Sequence, residues 1–295
     1  RVCEHYSKMG IKGWKVDFLD RDDQEMVRFV YDLAEIAAKY KLLVDYHGVY
    51  KPTGLQYTYP NAINFEGVHG LETMKWLGRE HDQLTYDVTI PFIRNAAGPV
   101  DYTPGAMRNA SRANFEPNYS RPMSQGTRCH QAAMYVLYNQ PLAMLCDSPT
   151  AYEAEPEFTK FLADIPTDMG KPYILQGEVG EYVVGFQENY NPYGDGSTDV
   201  YFAGLNGNKA RSVEFQMDIS IIFIAEYIEM YVDGETPTEY KHIVVPLEKY
   251  SECRGKFKID MPAGGGFVVR LNGHYLMGHG RWKKGGKHKF IRDEN

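Results

Sequence analysis

The chain has 295 residues, 43% of them hydrophobic, with a formal net charge of −7 and a sequence pI of about 5.8. That is enough apolar material for a full core and for two domains, and an acidic balance without a basic face excludes a nucleic-acid binder. No run of 18 or more apolar residues occurs, so no membrane-spanning helix is expected.

Residues 1–12 read as the end of a helix closed by Gly10. A buried strand follows over 14–18, with Trp14, Val16 and Phe18 supplying strand character and Asp17 at its carboxyl end. Asp20, Asp22 and Asp23 offer N-caps to an amphipathic helix over 23–41, where Met26, Val30, Leu33, Ala34 and Ala37 recur at helical spacing. A second strand over 42–46 ends at His47-Gly48, and a third over 62–65 ends at Glu66. Residues 71–84 can be helical, 87–91 read as a fourth strand, and 124–139 and 153–162 as helices around a fifth strand at 142–145. The stretch 94–122 has turn signals and little periodicity, the mark of a functional loop.

Strand–helix alternation predicts an α/β fold with a parallel sheet and right-handed crossovers. Five strands fall short of the eight of a (β/α)8 TIM barrel, so residues 1–165 read as the C-terminal part of a catalytic barrel whose earlier strands precede Arg1. After Pro166 and Pro172 the pattern changes to alternating apolar and aromatic runs with Gly and Asn turns, which predicts a small antiparallel β-sandwich over 166–280, with Asp233-Gly234 as a hairpin-turn signal. Residues 281–295 form a basic tail.

In barrels of this kind the chemistry sits where strands end, and Asp17, His47, Glu66 and Glu72 stand at or just beyond such ends. Two carboxylates at one rim can divide labour, one ionised to attack and one protonated to serve a leaving group. Two Glu near one point also suit a hard cation such as calcium. Bland alternatives stand beside these: Asp17 as a loop cap, Glu72 as a first-turn residue, and His47, His69 and His130 as packing or surface groups. Asp101 either binds a hydroxyl or fixes a turn, and Arg94 and Arg128 are candidates to hold carboxylates. Ser124 and Ser148 have no nucleophile-elbow pattern, which excludes a serine hydrolase of that type, and no phosphate-binding glycine loop is present. Cys3, Cys129, Cys146 and Cys253 are too widely spaced for a CxxC metal motif and read as free thiols. The 14% aromatic content is a weak hint of sugar stacking.

The segments GWKVDFLDRDDQ, LLVDYHGVYKPTGLQYTYPN, NFEGVHGLE, TIPFIRNAAGPVDYTPGA and MSQGTRCHQAAMYVLYNQPLAMLCDSP together resemble glycoside hydrolase family 97. The resemblance runs over residues 5–165 and is weaker over 166–275, where Asp168-Met169-Gly170-Lys171 replaces the family's Trp-containing segment. It implies an N-terminal β-sandwich domain, a (β/α)8 barrel, a C-terminal β-domain, hydrolysis of α-glucosides or α-galactosides, a calcium ion and a periplasmic or secreted location. Retaining members carry Asp at the end of the KVDF strand and Gly after the His of the next strand, whereas inverting members lack that Asp and carry a Glu base where Gly48 stands. Asp17 with Gly48 therefore implies a retaining α-galactosidase, with Asp17 as nucleophile and Glu72 as general acid/base, their carboxyl groups about 5–5.5 Å apart. By the same resemblance Glu66 and Glu72 bind calcium, His47 contacts the sugar, and a further calcium ligand lies in the N-terminal part; Asp101 is the second expected contact to the oligosaccharide substrate, through a hydroxyl. The alternatives are an α-glucosidase of the same family and an inactive, truncated carbohydrate-binding fragment.

Overall fold

The computed structural model describes residues 1–190, 197–216, 223–246 and 256–275; Cys253 and the basic tail lie outside these. Helix α1 (Val2–Lys8) leads into strand β1 (Gly13–Val16), helix α2 (Gln24–Lys39) and strand β2 (Leu43–Tyr46). Helix α3 (Leu55–Thr58) and strand β3 (Ala62–Phe65) follow. The three strands form a parallel sheet in the order β1-β2-β3. Asp23 caps α2, its Oδ1 accepting from Glu25 N and Met26 N at 3.1 Å each, as the run of aspartates predicts. Val30, Ala34 and Ala37 turn one face of α2 onto the strands, where they join Leu42, Val44 and Tyr46 in a first core.

Beyond β3 the expected strands give way to other structure. Leu71–Lys75 is a 3-10 turn, and residues 87–91, expected as a strand, belong largely to helix α4 (Gln83–Thr89). The Asp82 side chain caps α4 by accepting from Thr85 N, and buried Asp87 binds Gln83 and Tyr102 from within the helix. These local polar ties outweigh the β-branched run Val88-Thr89-Ile90. Helix α5 (Arg94–Ala97) and the two-residue strand β4 (Asn109–Ala110) break up the expected loop, and the two-residue strand β5 (Ser124–Gln125) stands where the helix over 124–139 was expected to begin. Helix α6 (Arg128–Leu137) follows, and 142–145, expected as a strand, pairs with no sheet. Two short helices, α7 (Pro149–Glu153) and α8 (Pro156–Asp164), stand where one was expected, each opening on proline.

Among the described residues from 173 onward every strand pairs antiparallel, as the alternation predicts. Strands β6 (Tyr173–Glu178), β7 (Tyr182–Tyr190), β8 (Ser197–Asn206), β9 (Arg211–Gln216), β10 (Phe223–Asp233), β11 (Tyr240–Pro246), β12 (Lys256–Met261) and β13 (Gly266–Tyr275) form a six-stranded sheet, β11-β10-β13-β8-β7-β6, and a separate β9–β12 pair. The period of two is visible in the packing. Val184, Val200, Phe202, Phe267 and Val269 face the β9–β12 pair, with Phe202, Phe215 and Phe267 stacked between them. Val183, Tyr201, Ala203, Leu205 and Val268 face the other way, into a core shared with α6 and α8.

Helix α6 is buried along its whole length. One core thus runs across the expected boundary near residue 165, where the element type changes but the packing does not. The approach of β13 to α6 requires glycine: a Cβ on Gly266 would stand 2.7 Å from His130 Cα. Asp233, expected to start a tight hairpin turn, accepts instead from Thr127 Oγ1 at 2.5 Å and Gly266 N at 2.9 Å, and the β10–β11 connection closes six residues wide through Gly234 N to Glu239 O.

Arg94, a candidate carboxylate holder, is buried and binds backbone instead. Its guanidinium donates to the carbonyls of Phe65, Glu66, Gly67, Gly98 and Pro99, between 2.8 and 3.2 Å. Arg128 does hold a carboxylate, that of Glu155 at 2.8 Å. Arg94→Met would remove a donor from five carbonyls, of which Phe65 O keeps Asp101 N, and should cost about 3 kcal/mol or more of stability. Urea unfolding checks this; a loss under about 1 kcal/mol would show that the carbonyls have other partners.

Candidate active site

The parallel register fixes the site. Val16 pairs with Tyr46, and Tyr46 with Phe65, so the three strands stop level with one another. The next residues of each strand path, Asp17, His47 and Glu66, therefore stand in one row. Strand β1 is shorter than expected, and Phe18 lies outside it, exposed and at φ 60°. Two residues back, on the same strand faces, Lys15 pairs with Asp45 and Asp45 with Asn64, giving a second polar tier.

His47 is the hub. Its Nδ1 lies 2.7 Å from Asp101 Oδ2, and its Nε2 lies 3.2 Å from Glu72 Oε1 and 3.4 Å from Glu66 Oε1. The ligand atoms of His47, Glu66 and Glu72 fall within 4.8 Å of one another. Asp101 also takes Lys15 Nζ at 2.8 Å on the oxygen that meets His47, and Thr103 Oγ1 at 3.2 Å on the other. Its segment is held to β3 by Asp101 N donating to Phe65 O. Glu66 Oε2 accepts from Gly48 N at 2.7 Å.

Asp17 is exposed, and its Oδ1 accepts from Phe18 N at 2.6 Å. It meets the rest of the site through Gly48, at φ 56°. A Cβ on Gly48 would lie 3.1 Å from Asp17 Oδ1 and 3.1 Å from Asp20 Oδ1. Gly48 thus has its amide on Glu66 and its open side on Asp17. An open cleft of about 600 Å3 runs past Asp20, Gly48, Glu66 and His69.

Electrostatics follow from burial against pairing. Burial favours neutral His47, but the Asp101 hydrogen bond and the Glu66 charge outweigh it and raise the imidazole to about 9. Burial works against charge on Asp101 too, yet His47 and Lys15 hold its carboxyl below the usual range. Burial raises Glu66, opposed by His47 and the Gly48 amide. Asp45 is buried with no hydrogen-bond donor on either oxygen; burial and then the Asp101 charge push it up to about 7.

The structure therefore brings His47, Glu66, Glu72 and Asp101 into one cluster, with Asp17 beside it across Gly48. His69 lines the cleft, whereas His130 is buried between Gly265 O and Asp87 as a packing residue. Lys15 and Asp45 were missed by sequence reasoning. The signal was period two: each stands two residues before a strand-end residue already singled out.

His47 also makes a stability prediction. Its folded value of about 9 exceeds the ordinary 6.5, so the stabilisation is complete below pH 6.5 and is lost as pH rises through 9. Wild-type melting temperature should decline across that window, and His47→Gln should flatten the decline. Parallel curves for the two proteins would show that no raised histidine is present.

The first 68 residues match the family model described as Glycoside hydrolase 97. A curated relative, the retaining alpha-galactosidase of Bacteroides thetaiotaomicron, is 48% identical over 275 residues, 92% of this chain and 40% of that protein. The probable retaining alpha-galactosidase of Streptomyces bingchenggensis is 30% identical over 177 residues, 60% of this chain and 25% of that protein. The chain thus spans two fifths or less of the length of these relatives. A solved glycoside hydrolase family 97 enzyme from Pseudoalteromonas sp. strain K8, in complex with acarbose, superposes with a TM-score of 0.75 at 26% identity, covering 93% of this chain and 44% of the other. With sequence and fold in agreement along nearly its whole length, the chain belongs to glycoside hydrolase family 97.

Proposed function

We propose that the protein containing this chain is a retaining, exo-acting α-galactosidase and that this chain carries its two catalytic carboxylates. The observation that carries the reading is that Asp17 borders the space a side chain at Gly48 would take. The family's two mechanisms differ in whether the carboxylate stands at position 17 or 48. Here those positions are neighbours, with a carboxylate at 17 and a glycine at 48 whose side-chain space Asp17 borders. The 48% identity to a retaining alpha-galactosidase supports the same branch.

In this reading Asp17 attacks the anomeric carbon and forms a covalent glycosyl-enzyme, while Glu72 protonates the departing oxygen. Glu72 then takes a proton from the water that releases the sugar. His47 contacts the sugar, oriented by Asp101 from behind. β1–β3 are an arc of a (β/α)8 barrel, and the antiparallel strands after residue 165 are a β-region that shares one core with α6 and α8.

Glu66 and Glu72 would hold calcium. Their carboxylates converge on one point, and Glu66 carries a desolvation penalty that a cation offsets. Calcium takes six to eight oxygens, so water, substrate and the rest of the protein would complete the shell; His47 Nε2 sits there as a hydrogen-bond partner of the carboxylates rather than as a hard oxygen ligand. Bound there, the ion would help set the pKa of the acid and anchor substrate hydroxyls.

The reading is tested on the full-length protein with p-nitrophenyl α-galactoside and α-glucoside. Asp17→Ala should lose at least about a thousandfold in turnover, and azide should restore turnover of the galactoside with β-galactosyl azide as product. Restoration with α-azide, or near-wild-type activity without azide, would remove Asp17 as nucleophile. A preference for the glucoside would assign the α-glucosidase reading instead.

For the metal, calcium should raise the melting temperature of the chelator-treated wild type and not that of Glu66→Gln. Equal shifts in both, or none in either, would contradict the assigned ligands.

A further inference from the structure

The Leu71–Lys75 turn that carries Glu72 ends at Trp76, which is 53% exposed. Beside it stands Tyr119, 74% exposed, its ring centroid 6.3 Å from that of Trp76 and its plane only 33° away. Two large exposed aromatic rings side by side, one of them four residues from a catalytic candidate, are not the scattered apolar residues of an ordinary surface. The face is also built. Asn118 Oδ1 accepts from Ser120 N and Arg121 N, fixing the turn that presents Tyr119. Arg79 pairs with Glu116, and Arg108 Nη1 binds Arg121 O at 2.9 Å, tying both ends of the turn down.

The 3-10 geometry relates this face to the acid. With three residues per turn, Glu72 and Lys75 lie one above the other. Lys75 Nζ lies 5.7 Å from the centre of the Tyr119 ring. Lys75, one turn on from Glu72, thus ties the Tyr119 ring to the element that carries the acid. A general acid stands at the glycosidic oxygen, between the sugar that is attacked and the group that leaves. An aromatic face carried by the acid's own element, rather than by the loop of Asp17, belongs to the leaving group.

We propose that Trp76 and Tyr119 form the platform on which the leaving-group sugar of an α-galactosyl oligosaccharide stacks its C–H face. The proposal rests on the reading of Glu72 as general acid. Aromatic rings give such a sugar a wide apolar contact with little loss of side-chain freedom, and the Lys75 ammonium, over one side of the Tyr119 ring, can swing to meet its hydroxyls. The platform favours a sugar leaving group over a small one without altering the chemistry at Asp17.

The test uses the full-length protein with two substrates, α-galactosyl fluoride, which has no leaving-group sugar, and the disaccharide galactosyl-α-1,6-glucose. Trp76→Ala and Tyr119→Ala should each lower kcat/KM for the disaccharide about tenfold, mainly through KM, and leave the fluoride within twofold. Trp76→Phe should recover most of the loss. Equal losses on both substrates, or no loss on the disaccharide, would overturn the platform. A fall of several degrees in melting temperature with the two substrates moving together would assign the rings to packing against another part of the protein, and would overturn it as well. If the wild type turns over neither substrate, the glycosidase reading itself fails, and the platform with it.

Discussion

The site depends on the register of three short parallel strands. Each four-residue strand has two inward positions that matter, one within it and one just past its end, giving Lys15 and Asp17, Asp45 and His47, Asn64 and Glu66. Pairing of Val16 with Tyr46 and of Tyr46 with Phe65 lines these up in two polar tiers. A slip of one residue in any strand would turn its polar pair into the apolar layer beneath α2 and bring apolar side chains to the site. The packing of Val44, Tyr46 and Phe65 on the other face opposes that slip. The same apolar burial that makes the strands thus also sets the positions of the charges.

Charges so placed need support from behind. His47 and Lys15 share one oxygen of Asp101, and Asp101 sits on a segment hydrogen-bonded to the end of β3. Asp45 lies in the tier below, with no donor of its own, raised towards neutrality by burial and by Asp101. A neutral Asp45 can donate a proton where an ionised one would repel Asp101. The tier therefore keeps one charged carboxylate for two cations. Arg94 performs the equivalent task for the backbone, donating to the carbonyls of Phe65 and Glu66 at the end of β3. Farther away, α6 forms a wall common to the site region and the antiparallel sheet, pinned at its start by Thr127 to Asp233.

Much of this was legible in the sequence. The strands over 14–18, 42–46 and 62–65, helix α2 with its aspartate cap, and the change to antiparallel β near residue 165 all follow from local periodicity and capping. The strand-end residues Asp17, His47 and Glu66 followed in turn. What failed depended on distant partners. Residues 87–91 have the composition of a strand, but Asp87 is occupied by Gln83 and Tyr102, a pairing visible only once residue 102 is placed. Asp233-Gly234 has the chemistry of a tight turn, but its carboxylate is taken by the cap of a helix a hundred residues earlier. Arg94 looked like a charge partner, yet its partners are carbonyls, which leave no trace in a sequence.

Gly48 is constrained in three ways at once. Its amide donates to Glu66, its φ of 56° is one that residues with side chains rarely adopt, and the space a side chain would fill is held by Asp17 and Asp20. A carboxylate at 48 together with one at 17 would bring two like charges nearly into contact, and one would have to stay protonated. A site with one carboxylate from this pair avoids that conflict, and the choice decides where the charge stands relative to the sugar. A carboxylate on the β1 loop can reach the anomeric carbon itself. One projecting from position 48 would place its oxygens differently and leave room for a water, the difference that separates retaining from inverting geometry. In a retaining site Gly48 therefore has a positive role: it leaves the nucleophile its space while lending its amide to Glu66.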